Sequence, residues 1–216
     1  MKKKLNIVLP VRSPEKAKNR LAPFLSDSQR SQLSLLLYRR SLAFFRSEWP
    51  CTHLTVVTDS SDIALEAKEF GAFPLKDPGH GLNKAVDSAT KISCSMGFSS
   101  QLIVHSDIGI LDRAEFSELI DSKITPPQVV IAKAFSDGGT NAMLESPPGV
   151  ISHRYGKNSS FLHQEEAFKV GADVTVLRLP GIGLDLDTKK DVKEYMRIMP
   201  NGPLIDYFER WGLTSP

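Results

Sequence analysis

Short β-branched apolar runs alternate with amphipathic stretches along nearly the whole chain. The runs at 5–11 (LNIVLPV), 53–59 (HLTVVTD), 101–107 (QLIVHSD), 128–134 (QVVIAKA) and 173–179 (DVTVLRL) predict strands. Several are apolar on both faces, as parallel strands covered by helices on each side must be. Between them lie helical patterns. Ser26 and Gln29 form a capping-box pair, with Leu33, Leu36, Leu37 and Phe44 on one face behind it. The stretch 61–71 ends in a glycine, a helix stop, and 82–96, 113–122, 159–172 and 188–199 complete the helices. This alternation predicts an α/β fold: a Rossmann-like, mostly parallel central sheet with helices on both faces. No internal repeat, low-complexity segment or linker divides the sequence, so one domain is expected over 1–216. Residues 200–216, with Phe208 and Trp211, read as a tail that packs back on the domain or on a second subunit.

Composition narrows the classes. The chain has 216 residues, 41% hydrophobic and 24% charged, as in an ordinary globular protein. No apolar run approaches the roughly 20 residues of a membrane-spanning helix. The start, MKKKLNIVLPVRSPEK, is better read as a first strand than as a signal peptide, because its apolar part is short, carries Asn6 and runs into Pro10 and Arg12. A cytoplasmic location is therefore expected. Cys51 and Cys94 lie in no CxxC or Cys/His cluster, which argues against a zinc site or a disulfide framework. A net charge of only +2 argues against a dedicated nucleic-acid binder. The cations of interest are local, so their partner should be small.

In such sheets ligands collect beyond the carboxyl ends of the strands, which directs attention to residues 10–20, 59–62, 77–83, 107–110, 135–141 and 181–188. The first of these loops has neither GxxxxGK[ST] nor GxGxxG. Phosphates there would be held by an extended backbone and by Arg12, Lys16, Lys18 and Arg20 as charge-assisted donors. The same run also suits a solvated basic turn. In DPGHGLNKA, Gly79 and Gly81 permit close approach of a flat ligand and Asn83 offers a donor and an acceptor, the needs of a base-reading loop, although a ligand-free turn has the same composition. Asp107, ending a core strand, is badly placed for packing and well placed for a hard cation or a helix cap. In GLDLDTKKD, Asp185 and Asp187 face one side of an extended backbone. With Asp107 they suit magnesium, which wants few protein oxygens. Thr188 and Asp191 match a helix-capping pair. Gly138, Gly139 and Thr140 form a flexible turn with a hydroxyl, and Gly156, Ser159 and Ser160 stand at a helix start, where anions bind and serine caps are also common.

Taken in order, the stretches PVRSPEKAKNRLAPFLS, DPGHGLNKA, GGTNAM, YGKNSSF and LPGIGLDLDTKKDV make the chain resemble the CofC/FbiD family of guanylyltransferases, of the MobA-like nucleotidyltransferase superfamily, to about residue 195. The resemblance implies a GT-A-like fold and transfer of GMP from GTP to a three-carbon phospho-acid, with release of pyrophosphate. That acid would be 2-phospho-L-lactate, phosphoenolpyruvate or 3-phospho-D-glycerate, on the route to coenzyme F-420. Position by position, Asp107, Asp185 and Asp187 match metal-binding acids, implying magnesium. Thr140, Gly156 and Ser159 match positions that hold the phospho-acid. Pro10, Val11, Arg12, Lys16 and Lys18 match the loop around the GTP phosphates, with Gly81 and Asn83 on the nucleotide side. Arg12, Lys18, Arg20 and Asp107 would then act on the reacting phosphates. A homodimer and hand-over of product to the next transferase are further expectations. The sequence departs from the family's usual PVK with Pro10-Val11-Arg12, from P-A-D-L-P-L with HSDIGIL, and from its longer glycine-rich loop with AFSDGGTN. A molybdenum-cofactor or sugar-phosphate nucleotidyltransferase, or a non-catalytic GTP-binding module, would use the same fold.

Overall fold

The computed structural model describes residues 4–122 and 125–213. Seven strands form one sheet: β1 (Leu5–Val11), β2 (His53–Thr58), β3 (Phe73–Lys76), β4 (Ser100–Val104), β5 (Gln128–Lys133), β6 (Thr140–Ser146) and β7 (Asp173–Leu177), in the order β3-β2-β1-β4-β6-β5-β7. All neighbours are parallel except that β6 runs antiparallel to β4 and β5. The helices are α1 (Asp27–Glu48), α2 (Ser61–Glu69), α3 (Leu82–Ser95), α4 (Arg113–Ile120), α5 (Ser159–Lys169), α6 (Lys189–Ile198) and α7 (Ile205–Arg210).

Strand alternation divides the core. Ile7, Leu9, Val56, Leu102 and Val130 face Tyr38, Leu42 and Phe45 of α1, Ile63 of α2 and Phe116 of α4. Val8, Val57, Ile103, Ile131 and Met143 face Ala85, Val86 and Ala89 of α3 and Ala167 of α5. Both faces of the sheet are thus covered, as the two-sided apolar strands require. A third cluster joins Leu33 and Leu37 of α1 to Leu184, Leu186, Tyr195, Leu204, Phe208 and Leu213. The tail therefore packs back on its own chain, and complete burial of a side chain such as Phe208 contributes about 1.5–3 kcal/mol. Its last three residues lie outside the described residues, as do the first three of the chain.

The capping pairs form as the residue types demand. Ser26 accepts from Gln29 N while Ser26 N donates to Gln29 Oε1, and Thr188 and Asp191 make the equivalent reciprocal pair at the start of α6. Two strands depart from expectation. β3 is short and half-exposed, with Pro74 inside it, so its pattern is weak. No strand was expected over 140–146, where Thr140 read as part of a flexible turn; Thr140 is instead the first residue of β6, and every residue of the strand is buried. It carries Asn141 and Glu145, whose side chains find partners inside the protein. β4 also ends earlier than predicted, at Val104, which leaves His105, Ser106 and Asp107 in the following loop. Because the chain runs outward from β1 to β3 and returns to β4 on the other side, the β1 and β4 loops diverge and open a cleft at that switch point.

Candidate active site

The cleft has a volume of about 600 Å³. Its walls include Pro10 and Val11 at the end of β1, Arg12, Lys16, Lys18 and Arg20 after it, Asp59 after β2, Asp77, Gly79, His80 and Gly81 before α3 and Leu82 at its start, His105–Asp107 after β4, and Asp187. The basic loop holds its shape through two short 3-10 turns, Pro14–Lys16 and Asn19–Leu21, with Lys18 in the left-handed region at φ 56° between them. Asp59 ties it down: Oδ1 accepts from Ser13 N at 2.9 Å and Ser13 Oγ at 2.8 Å, and Oδ2 meets Lys16 Nζ at 2.9 Å. Lys16 and then Ser13 pull the Asp59 carboxyl down to about 2. Arg30 of α1 holds the loop from behind, donating to Ala17 O and Asn19 Oδ1.

Lys18 is the centre of the site. Its side chain is only 4% exposed, and Nζ lies 3.0 Å from Asp107 Oδ2 and 2.9 Å from Asp187 Oδ1. Arg20 Nη1 stands 3.8 Å from the other oxygen of Asp187. The acids are aligned by an antiparallel bridge between Ile108 and Asp185, with Leu186 N donating to Asp107 O and Gly109 N to Leu184 O. Desolvation would raise the Asp107 carboxyl, but the Lys18 and His105 charges hold it below its ordinary value. Asp185 behaves oppositely: desolvation, then the charges of Asp107 and Asp187, push it up to about 6, although Asn141 Nδ2 donates to it at 3.3 Å.

Thr140, Gly156 and Ser159 do not line this cleft; they gather at the start of α5, beyond the acids. Asn141, next to Thr140, links the two regions through its contact with Asp185. Thr140 Oγ1 lies 3.1 Å from His163 Nδ1, and Arg154 N donates to His163 Nε2 at 3.0 Å. Burial, reinforced by His153 and His105, depresses His163 to about 3. The hydroxyl oxygens of Ser159 and Ser160 are buried without a partner among the described residues. Gly156 has φ 141°, a conformation side chains strain against.

Asn83 is placed differently from the expectation of a base-reading side chain. Both ends of its amide are engaged by Tyr155, whose N donates to Oδ1 at 2.7 Å and whose O accepts from Nδ2 at 3.3 Å. It lies outside the cleft lining, whereas Gly81 lies on it. Asn83 instead fastens the loop before Gly156 to α3. His153 adds a second fastening, with Nδ1 2.8 Å from Asp87 and Nε2 3.2 Å from the fully buried Glu145. Arg12 is exposed in the cleft and makes no ion pair among the described residues.

With this geometry the comparisons are specific. The model of the family described as "Guanylyl transferase CofC like" matches residues 5–210. The chain belongs to that guanylyl transferase family. Among the family's named members, a 3-phospho-D-glycerate guanylyltransferase of Colwellia psychrerythraea is 40% identical over 87% of this chain and 89% of its own length. A 2-phospho-L-lactate guanylyltransferase of Methanothermobacter thermautotrophicus is 33% identical over 87% and 82%. A phosphoenolpyruvate guanylyltransferase of Rubrobacter xylanophilus is 29% identical over 86% and 90%. In fold, the chain is similar to a nucleotide-diphospho-sugar transferase structure from Desulfovibrio desulfuricans, with TM-score 0.74, 17% identity and coverage of 96% and 94%. The expected nucleotidyltransferase fold and family are those found.

The acids suit a magnesium ion in part. Among the described residues, no three His, Cys, Asp or Glu side chains are arranged to hold a metal, so the expected trio does not converge. Two carboxylates, Asp107 and Asp187, do flank one cation, the Lys18 ammonium. Asp107 Oδ1 is buried with no hydrogen-bond partner among the described residues. Two carboxylates plus phosphate oxygens are what magnesium ordinarily takes, so this pair fits the ion. Asp59 and Asp77, both on the cleft, were not singled out from the sequence. Their signal was present: each acid directly follows a strand, as Asp107 follows β4 by three residues.

Proposed function

We propose that this chain, acting as one nucleotidyltransferase domain, transfers GMP from GTP to a three-carbon phospho-acid, 3-phospho-D-glycerate before phosphoenolpyruvate or 2-phospho-L-lactate. The observation that carries this is the basic β1 loop meeting Asp107 and Asp187 at the switch point, together with a helix start whose Ser159 and Ser160 hydroxyls have no partner among the described residues. The preference among acids rests on the 40% identity to the 3-phospho-D-glycerate relative.

An acceptor phosphate oxygen attacks the α-phosphorus of GTP in line. The new P–O bond forms as the bond from the α-phosphorus to the bridging oxygen breaks, and the electron pair leaves with pyrophosphate. A phosphate monoester is already ionised, so the chemistry asks for positioning and charge neutralisation rather than a general base. Arg12, Lys16, Lys18 and Arg20 neutralise the triphosphate and the departing pyrophosphate. Gly81 lets the nucleotide lie close to the backbone opening α3, and Thr140, Gly156 and Ser159 hold the acceptor. Asp107 and Asp187 would hold magnesium, with Asp185 behind them; when bound, the ion supplies charge neutralisation at phosphate oxygens. The product belongs to the family's route to coenzyme F-420, a cytoplasmic setting, with hand-over to the following transferase and a homodimer as parts of the same proposal.

The test is pyrophosphate release from GTP and magnesium with each acid supplied separately, for wild type and Asp107→Asn. Release with one acid that the substitution abolishes is the expected result. GTP binding without release for any acid would leave a nucleotide-binding module instead.

A further inference from the structure

The acids of the cleft stand on two segments that run side by side, the loop from His105 to Asp112 and the loop from Leu179 to Asp187. Main-chain bonds join them at one end, where Leu186 N donates to Asp107 O at 3.0 Å and Gly109 N to Leu184 O at 2.9 Å. A side chain joins them at the other. Glu115, half-buried in the first turn of α4, accepts from Gly181 N through Oε1 and from Ile182 N through Oε2, both at 2.8 Å. The helix follows the Asp107 loop directly, and Asp112 fixes its start by accepting from Glu115 N at 3.0 Å. The approach of the two segments is close: a Cβ on Gly181 would stand 3.0 Å from Glu115 Oε2 and 3.1 Å from Ile110 O. From the far side Asn141 Nδ2 donates to Ile182 O at 2.9 Å and, at 3.3 Å, to Asp185 Oδ1. Ile182 is thus held at its N–H by Glu115 and at its carbonyl by a residue that also touches an acid of the site.

We propose that Glu115 is a positioning residue, a strut that sets the separation of Asp107 from Asp185 and Asp187 and so the strength with which the cleft holds a divalent ion on the nucleotide. Magnesium demands near-ideal octahedral geometry, with oxygens at about 2.0–2.1 Å. Carboxylates that arrive on two separate segments must therefore be spaced by groups outside the site. An ionised glutamate suits that task where a neutral side chain does not, because two adjacent N–H groups need two acceptor oxygens and the carboxylate supplies both. Glu115 lies outside the cleft lining, so its effect runs through the turn it holds. The inference deepens the guanylyl-transfer proposal and rests on it for the ion and the nucleotide.

Glu115→Gln keeps the length of the strut but offers one oxygen to two donors. Binding of the non-reacting α,β-methylene analogue of GTP is measured by calorimetry with and without excess magnesium, and the ratio of the two affinities reads the ion's contribution. In Glu115→Gln that ratio is expected to fall about tenfold from wild type, with the magnesium-free affinity unchanged. Gly181→Ala crowds the same carboxylate from the other segment and should give a similar fall. The double variant should lose no more than the larger single loss, since both changes break one contact. Phe116→Leu is the control: it loosens the core beneath α4 and lowers the melting temperature without touching the strut, and its ratio should equal that of wild type. Hydrogen exchange of the wild type should find the Gly181 and Ile182 amides slow, a reading that stands even if a variant does not fold. A wild-type ratio in Glu115→Gln, an equal fall in Phe116→Leu, or rapid exchange at those amides would overturn the proposal. Wild-type binding that ignores magnesium would remove the ion from the site and this inference with it. Magnesium-dependent binding without pyrophosphate release from GTP with any acid would instead remove the transferase activity and leave the strut in place.

Discussion

Replacing Lys18 by Met tests the charge balance at the centre of the cleft. The substitution keeps length and apolar bulk, and it leaves the left-handed backbone at this position as unfavourable as before, so the comparison isolates the ammonium. Asp107 loses its lysine partner, and Asp187 keeps only the more distant Arg20. Breaking a fully buried pair costs about 3–5 kcal/mol. Asp107 and Asp187, however, are 28% and 31% exposed, so water recovers part of that, and a loss of about 2 kcal/mol is the reasonable expectation. For a chain of this size each kcal/mol moves the melting temperature by about 2–4 °C, giving a drop of about 4–8 °C. A divalent cation should then take the vacated place between the acids. Differential scanning fluorimetry without nucleotide, with and without millimolar magnesium, reads both effects; an ion at a hundred times its Kd restores about 2.7 kcal/mol. Wild type, whose lysine competes for the same oxygens, should respond less. An unchanged melting temperature, or equal magnesium responses, would refute the idea that Lys18 and a metal share these carboxylates.

Asp107→Asn should lower the rate of pyrophosphate release by roughly 10²–10³, the usual loss for one preorganised charged contact, while GTP still binds in an equilibrium titration. Asn83→Ala removes both ties to Tyr155 and should cost about 1–3 kcal/mol in chemical denaturation; in initial-rate measurements, KM for the phospho-acid should rise more than KM for GTP, because the loosened loop carries Gly156. His153 gives a pH signature. Burial would lower it, but Glu145 and then Asp87 raise its pKa in the folded state. Its stabilising contribution is therefore complete below the unfolded value of about 6.5 and is lost as pH rises through the folded value. Thermal scans from acid to mildly alkaline pH should show that decline in wild type and a flatter profile in His153→Gln.

The sheet was legible where residue chemistry and period agreed. β1, β2 and β5 are β-branched runs bounded by breakers, and the Ser26–Gln29 and Thr188–Asp191 pairs announced α1 and α6. β6 was not legible, because TNAMLES has no apolar alternation and its buried polar side chains draw on partners remote in sequence, such as Gln101 and Ile182. In the site, the basic loop and the acids at 107, 185 and 187 were visible as types, but spacing does not say that a lysine stands between two of them. Nor does it say that Asn83 is consumed by Tyr155, 72 positions away. Local pattern records which groups can interact; which of two suitable partners is nearest is decided by the fold.

The third apolar cluster has a further consequence. Leu21 and Leu25 at the end of the basic loop, Leu184 and Leu186 flanking Asp185, and Leu204, Phe208 and Leu213 of the tail all pack into it. The cationic and anionic walls of the cleft thus share one greasy footing, and the last turns of the chain are its underside. The gap between Lys18 and Asp187 is in effect gauged from below, by volumes more than 15 residues past the last of the acids. A bulky fusion or a truncation at this end would reach the charged walls of the cleft without touching any of them, and what looks like a dispensable appendage serves as the spacer between opposite charges.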